Sequence, residues 1–288
     1  MPPDSTTPAP VPVRAPVAPF LGRPAFCDAR AVRRLAGVLL GPVALLATWQ
    51  LVVGLAPGTA VVSPSDVARA ATAAWERGDL PAALTTSVAR GVVGFALAVA
   101  IGTPVALAVS RVRWFRTAFG PLLKGLLVLP AVAWVPAAVL WFGLTDATVY
   151  FVVLMGSVPS VVNGLVAGMD QVPPLYRRVG TVLGAGPLAL TRHVILPAAL
   201  PAYVAGLRQG WAFSWRSLMG AELIAGGGHL GVGLGALLQE GRALGDLAAV
   251  LVAMLLILTV GVLAELLAFA PLESRLARRR GLAPQAAR

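Results

Sequence analysis

Six apolar stretches, at about 35–56, 84–110, 119–143, 148–169, 198–225 and 247–271, are each long enough to cross the hydrocarbon of a bilayer as a helix. About 20 residues suffice, because roughly 30 Å of hydrocarbon is spanned at about 1.5 Å per residue. Inside lipid every backbone polar group must be satisfied within the element that carries it, which leaves helices as the structure open to such runs. The composition agrees: 58% of the 288 residues are hydrophobic and only 12% are charged, about half the charged share of a soluble domain. The expectation is an all-α polytopic membrane protein with about six transmembrane helices.

The basic residues orient these spans. They gather in the N-terminal segment (Arg30, Arg33, Arg34), in 111–116, around Arg177, Arg178 and Arg192, and at Arg275, Arg278, Arg279 and Arg280. The alternate loops hold only Arg69, Arg77 and Arg242, each with acids nearby. Arginine-rich loops stay in the cytoplasm, so six spans with both termini inside satisfy every loop at once. The net charge of +11 therefore reads as membrane topology, and nucleic acid is not expected as a partner. Cys27 stands alone and offers no disulfide framework. His193 and His229 match no metal-ligand spacing, so no metal is expected. His193, next to the end of the 170–197 loop, reads equally as a partner contact or as plain exposure.

The divisions follow. Residues 1–30, rich in Pro, Ala and Thr, read as a disordered cytoplasmic tail. Residues 31–275 form the membrane domain, and 276–288 a basic cytoplasmic tail. Between the first two spans, 64–78 reads as a short amphipathic helix opened by Ser63, Pro64 and Asp66.

The loop at 170–197 carries the main signal. Pro173 and Pro174 suit a helix start, Leu175, Val179, Val182 and Leu183 give a short apolar face, and Gly184, Ala185, Gly186 and Pro187 break it. A second short helix begins at Leu188. A helix-turn-helix with an apolar face and basic flanks has the form of a knob for a groove on a partner. Gly184 would let the backbone turn sharply.

This stretch resembles the coupling loop of permeases of binding-protein-dependent ABC importers, whose pattern is E-A-A-x-x-x-G, nine residues, then I-x-L-P. Gly184 takes the glycine position, and Val194, Leu196 and Pro197 take those of I-x-L-P. Arg178, Val179 and Gly180 stand where E-A-A is usual, so the acid that often contacts the ATPase is missing. The resemblance runs over about 60–275. The stretches 129–136, 141–143, 200–208 and 215–223 resemble the branch that imports aliphatic sulfonates, taurine and nitrate.

The resemblance implies a type I importer permease (MetI-like) fold in the cell membrane, with two copies forming a pathway and operating by alternating access. Separate ABC ATPase subunits would bind the knobs and use ATP and Mg, and an extracytoplasmic substrate-binding protein would deliver a small anion, an aliphatic sulfonate first, with nitrate, bicarbonate, taurine or a pyrimidine precursor as alternatives. A secondary transporter is the rival of another class. The chain carries no phosphate-binding loop of its own, so it is expected to be a permease subunit and not an enzyme, with no cofactor bound. On this reading Tyr176, Arg177, Arg178, Gly184, Ala185, Leu196 and Pro197 form the coupling loop. Candidate pathway residues are Trp134, Trp211, Ser214, Trp215, Arg216, Ser217 and Glu222.

Bland readings stand beside these. Trp211, Trp215, Leu218 and Glu222 share one helix face and serve either a pathway wall or packing. Arg216 either supplies a positive field for an anion or pairs with Glu222 or another helix, and Glu222 either pairs with an Arg or shapes an outer gate. Arg208 lies about a third of the way into its span, near enough to the end to snorkel. Gly206 with Gly210, and Gly164 with Gly168, permit close helix approach. Pro130 and Pro136 would bend the third span.

Overall fold

The computed structural model describes residues 29–55, 62–226 and 231–279. They are helical apart from short connections, and the chain divides into two units, 1–59 and 60–288. The first contributes one described helix, α1 (Ala29–Leu55), over the first expected span. The expected tail, Cys27 and His229 lie outside the described residues, except that Ala29 and Arg30 already belong to α1.

The second unit opens with α2 (Pro64–Glu76). The Ser63 hydroxyl accepts from the Asp66 N–H, and the Asp66 carboxylate accepts from the Ser63 N–H, a reciprocal cap. Hydrogen bonds from Ser63 and from Arg69 hold the Asp66 carboxyl below its ordinary range. Its contribution to the cap is therefore complete near neutrality and is lost as pH falls through that lowered value.

The membrane helices follow. α3 (Asp79–Arg111) matches the second expected span. The third is not one helix. α4 (Arg113–Val128) ends at Leu129 and Pro130, and a 3-10 turn (Ala131–Trp134) leads into α5 (Val135–Phe142), bent from α4 by 103°. Proline at 130 prevents helix continuation. The basic stretch 111–116 is largely the first turn of α4 and not a loop. α6 (Asp146–Asp170) is the fourth span, and α7 (Pro174–Val182) begins the loop after it. α8 (Pro187–Leu190) then runs without a break, through a π turn (Thr191–Ile195), into α9 (Leu196–Ala225). The expected gap before the fifth span is absent, because the wide turn, closed by the Leu196 N–H on the Thr191 carbonyl, accommodates Pro197. A helix that sequence reading missed, α10 (Leu234–Leu244), precedes α11 (Leu247–Ala264). A second π turn joins α11 to α12 (Ala270–Arg279), so the last helix extends into the expected basic tail. Among the described residues four helices are long and apolar enough to cross a membrane, and the bent α4–α5 pair makes a fifth.

Small residues set the packing. A Cβ on Gly164 would stand 2.4 Å from the Gly206 Cα, and one on Gly168 would stand 2.8 Å from the Ala199 carbonyl oxygen. The backbones of α6 and α9 therefore touch, antiparallel, through the glycine pairs noted in the sequence. α3 lies parallel to α6, with Gly94 over Val153 and Gly102 over Val161. Two buried clusters fill the interior. One includes Val135, Val152, Trp215 and Leu218, and the other includes Ala106, Leu165, Met169 and Ile195.

Gly164→Ala must force two backbones apart and is expected to cost about 1–3 kcal/mol, read by unfolding in mixed micelles. Gly120→Ala, with open space around the new methyl, is expected to cost nothing.

Candidate functional site

Two regions hold the expected residues, at opposite ends of the helices. The first is the loop between α6 and α9. Pro173 caps α7 and Pro174 opens it, as expected. Gly184 has φ +80°, the left-handed conformation that glycine adopts without strain. Gly180 is buried, with Leu190 so close that a Cβ would stand 2.4 Å from its Cδ1. The glycine in the third E-A-A position thus lets α7 lie down on α8. Arg177 reaches back to donate to the Met169 carbonyl at 3.0 Å, tying α7 to the end of α6. The apolar residues that remain point outward: Val182 is 86% exposed, Leu183 80% and Leu188 70%. Tyr176, Arg178, Arg192 and His193 are exposed around them, while Ala185 and Leu196 are half-buried. Burying a side chain such as these is worth roughly 1.5–3 kcal/mol.

The second region is a buried ionic cluster, of which sequence reading named Glu222 and its pairing with an Arg but not Arg90, Asp146 or Ser87. Arg90 of α3 is fully buried. It donates to Glu222 of α9 at 3.1 Å, to Asp146 at the start of α6 at 2.6 Å, and to the Gly231 carbonyl at 3.1 Å. Ser87, one turn earlier on α3, donates to Glu222 at 2.7 Å and accepts the Leu234 N–H at 2.8 Å. The Gly235 N–H also donates to Glu222, at 3.1 Å, so this carboxylate sits at the N-terminus of α10, where the helix dipole favours it. Gly233 and Gly235 are required here, since a Cβ on either would stand within 2.6 Å of Glu222. Three helices and α10 are thereby fastened at one point. The partners lie 56 and 132 residues from Arg90, which is why no local pattern signals them. The glycines at 226, 233 and 235 are the one sequence hint of a close approach.

The candidate pathway residues do not form one surface. Trp211 and Trp215 stack at 6.1 Å and face inward, and the Trp215 indole N–H donates to the Ile257 carbonyl. Ser214 is buried, and Trp134 packs against Phe151. Within the chain the three tryptophans pack within or against the first buried cluster. Glu222 belongs to Arg90, which excludes the pairing with Arg216. Arg216 and Ser217 instead meet the bend after α4. Arg208 does not simply snorkel, because it binds Glu265 at 2.5 Å and lies 3.4 Å from Glu273.

Residues 94–276 match the family model of the binding-protein-dependent transport system inner membrane component. The chain belongs to this family. Its members are inner membrane components of transport systems. Among its relatives, the nitrate import permease protein of Synechocystis sp. is 27% identical over 179 residues, 62% of this chain and 64% of that one. A bicarbonate transport system permease protein of Synechococcus elongatus is 29% identical over 179 residues, 62% of this chain and 63% of the relative. The taurine transport system permease protein of Escherichia coli is 31% identical over 148 residues, 51% and 54%. The chain thus spans just under two thirds, or less, of the length of these family members.

Glu222→Gln leaves Arg90 short of a buried counter-charge and is expected to destabilise the protein by about 3–5 kcal/mol. Arg69→Gln, which breaks an exposed pair, should change it by less than about 1 kcal/mol. Unfolding in mixed micelles, read by intrinsic tryptophan fluorescence, measures both.

Proposed function

We propose that the chain is the permease subunit of an ATP-driven importer of a small anion. The loop between α6 and α9 would receive a separate ATPase subunit, which alone binds ATP and Mg. The observation that carries this reading is the exposed apolar tip of Val182, Leu183 and Leu188 on a basic stem fixed to two membrane helices. A loop needing only to connect α6 to α9 has no use for three outward aliphatic side chains. Family membership supports the division of labour, with an extracytoplasmic binding protein delivering the substrate. A second copy of the chain would complete the pathway, since one chain offers one tip. The distribution of arginine supports an inner-membrane protein with both termini in the cytoplasm.

ATP-driven closure of the two ATPases would move the tips and swing the helices attached to them. Relatives named for nitrate, bicarbonate and taurine transport support a small anion. An aliphatic sulfonate stands first, because taurine carries that group and because 200–208 and 215–223 resemble sulfonate permeases.

The test is isolation of the chain from its own membranes in mild detergent. An ATPase is expected to accompany it in near-stoichiometric amount, and Val182→Glu with Leu183→Glu is expected to lower the amount more than about tenfold, as loss of a central apolar contact does. Absence of an ATPase beside the unaltered chain, or its retention by the double variant, would overturn the reading.

A further inference from the structure

Every acid on the helices able to cross the membrane already has a basic partner. Asp79 binds Arg77, Asp146 and Glu222 bind Arg90, Asp170 binds Arg116, and Glu265 and Glu273 bind Arg208. Away from the ends of these segments, two cations are left without an acid partner among the described residues. Arg216 donates only to the Ala212 carbonyl of its own helix, at 3.0 Å, and lies 4.9 Å above the Phe213 ring. It sits nine residues, roughly 14 Å, from the end of α9. Lys124 on α4 has no hydrogen bond or ion pair among the described residues. A charge at such depth costs roughly 2.5–3.5 kcal/mol and is a functional candidate by default.

Both cations line clefts, and the clefts lie in series. The upper one, about 340 Å³, is bounded by the bend at Leu129 and Pro130, by Gly156 of α6 and by Arg216 and Ser217 of α9. The lower one, about 400 Å³, is bounded by Lys124 of α4, Asn163 of α6 and the Arg116–Asp170 pair. On α6 the lining positions 156, 163, 167 and 170 recur at helical spacing and form one stripe, so both clefts open along the same face. Asn163 is exposed on that stripe, an uncharged donor that shares the lower cleft with Lys124.

The bend is an independent sign of water. α4 stops at Val128 and the chain turns through 103°, leaving helix-end carbonyls and N–H groups without helical partners at membrane depth. Irregular backbone there is tolerated only where it is covered by protein or lines a water-filled cavity. Pro130 is exposed and Val128 is 83% exposed within this chain.

We infer that the groove between α4 and α6 is an anion track, with an upper subsite at Arg216 and Ser217 and a lower one at Asn163 and Lys124. Its ligand is a monovalent oxyanion: the planar guanidinium of Arg216 matches two oxygens at once, and the lysine supplies a point charge further along. Cations are repelled at both stations. The inference rests on the import reading for the direction of movement only, and the presence of the track is tested apart from it.

Cysteine accessibility provides that test, on the full chain carrying Cys27→Ser in phosphatidylcholine nanodiscs, a bilayer without anionic lipid. Val132→Cys and Asn163→Cys report the two clefts, and Leu258→Cys on α11 reports lipid. Each is treated with 2-sulfonatoethyl methanethiosulfonate and with its trimethylammonium analogue, rates being referred to free cysteine. Both cleft positions are expected to react, with the sulfonate reagent favoured by about tenfold, the lower end of what a charged cleft achieves. Arg216→Gln with Lys124→Gln is expected to abolish that preference, and Leu258→Cys should stay unreactive. Failure of both cleft cysteines to react, or a preference that survives removal of the two charges, would overturn the track. A charge-dependent preference in a chain that binds no ATPase would keep the track and remove the import reading.

Discussion

The backbone contact between Gly164 and Gly206 is the constraint on which the rest of the molecule depends. It brings α6 and α9 together with no side chain between them, so the two helices behave as one pillar. The loop that joins them cannot move freely, because both of its ends are fixed to that pillar. Gly180 and Arg177 remove the remaining slack by seating α7 on α8 and on the last turn of α6. On the proposed function, an apolar tip held in this way would transmit displacement to the membrane helices and not absorb it.

The opposite end of the pillar is fastened by different chemistry. Arg90, Asp146, Glu222 and Ser87 form a cluster without exposure to solvent at its centre, and the first N–H groups of α10 close it. Buried charge is weak evidence of net stability, but breaking such a cluster is costly. Its consequence is geometric: the ends of α3, α6, α9 and α10 must move together. On the proposed function, a displacement entering at the loop would reach the far end as a rigid-body motion of several helices, as alternating access requires.

Much of this was legible in the sequence. The apolar runs gave the spans, and Pro173, Pro174 and Gly184 gave the loop its helix start and its turn, because these are local signals. The glycine pairs on α6 and α9 were visible as small-residue spacings, although not as partners of each other. The buried cluster as a whole was invisible, since Arg90 looks like any basic residue near a span end until Glu222, 132 residues later, folds against it. The third span read as continuous because hydropathy counts residues and is blind to direction. Pro130 indicated a bend but not its 103° extent. α10 was missed because its eleven residues fall below the length of a span and follow a glycine-rich stretch. Arg216 was noticed for its depth, and the assignment of Glu222 to Arg90 leaves it unpaired.

Whether α6, its loop and α9 move as one piece is read most directly by pulsed electron resonance between spin labels at Thr181, on α7 but outside the apolar tip, and Ile224, both exposed, in the complex carrying its ATPase. A rigid pillar predicts one narrow distance that changes by less than about 2 Å when ATP is added, the scale of shifts within packed helices. A broad distribution, or a larger change on adding ATP, would mean that the loop flexes independently of the membrane helices and would contradict the lever.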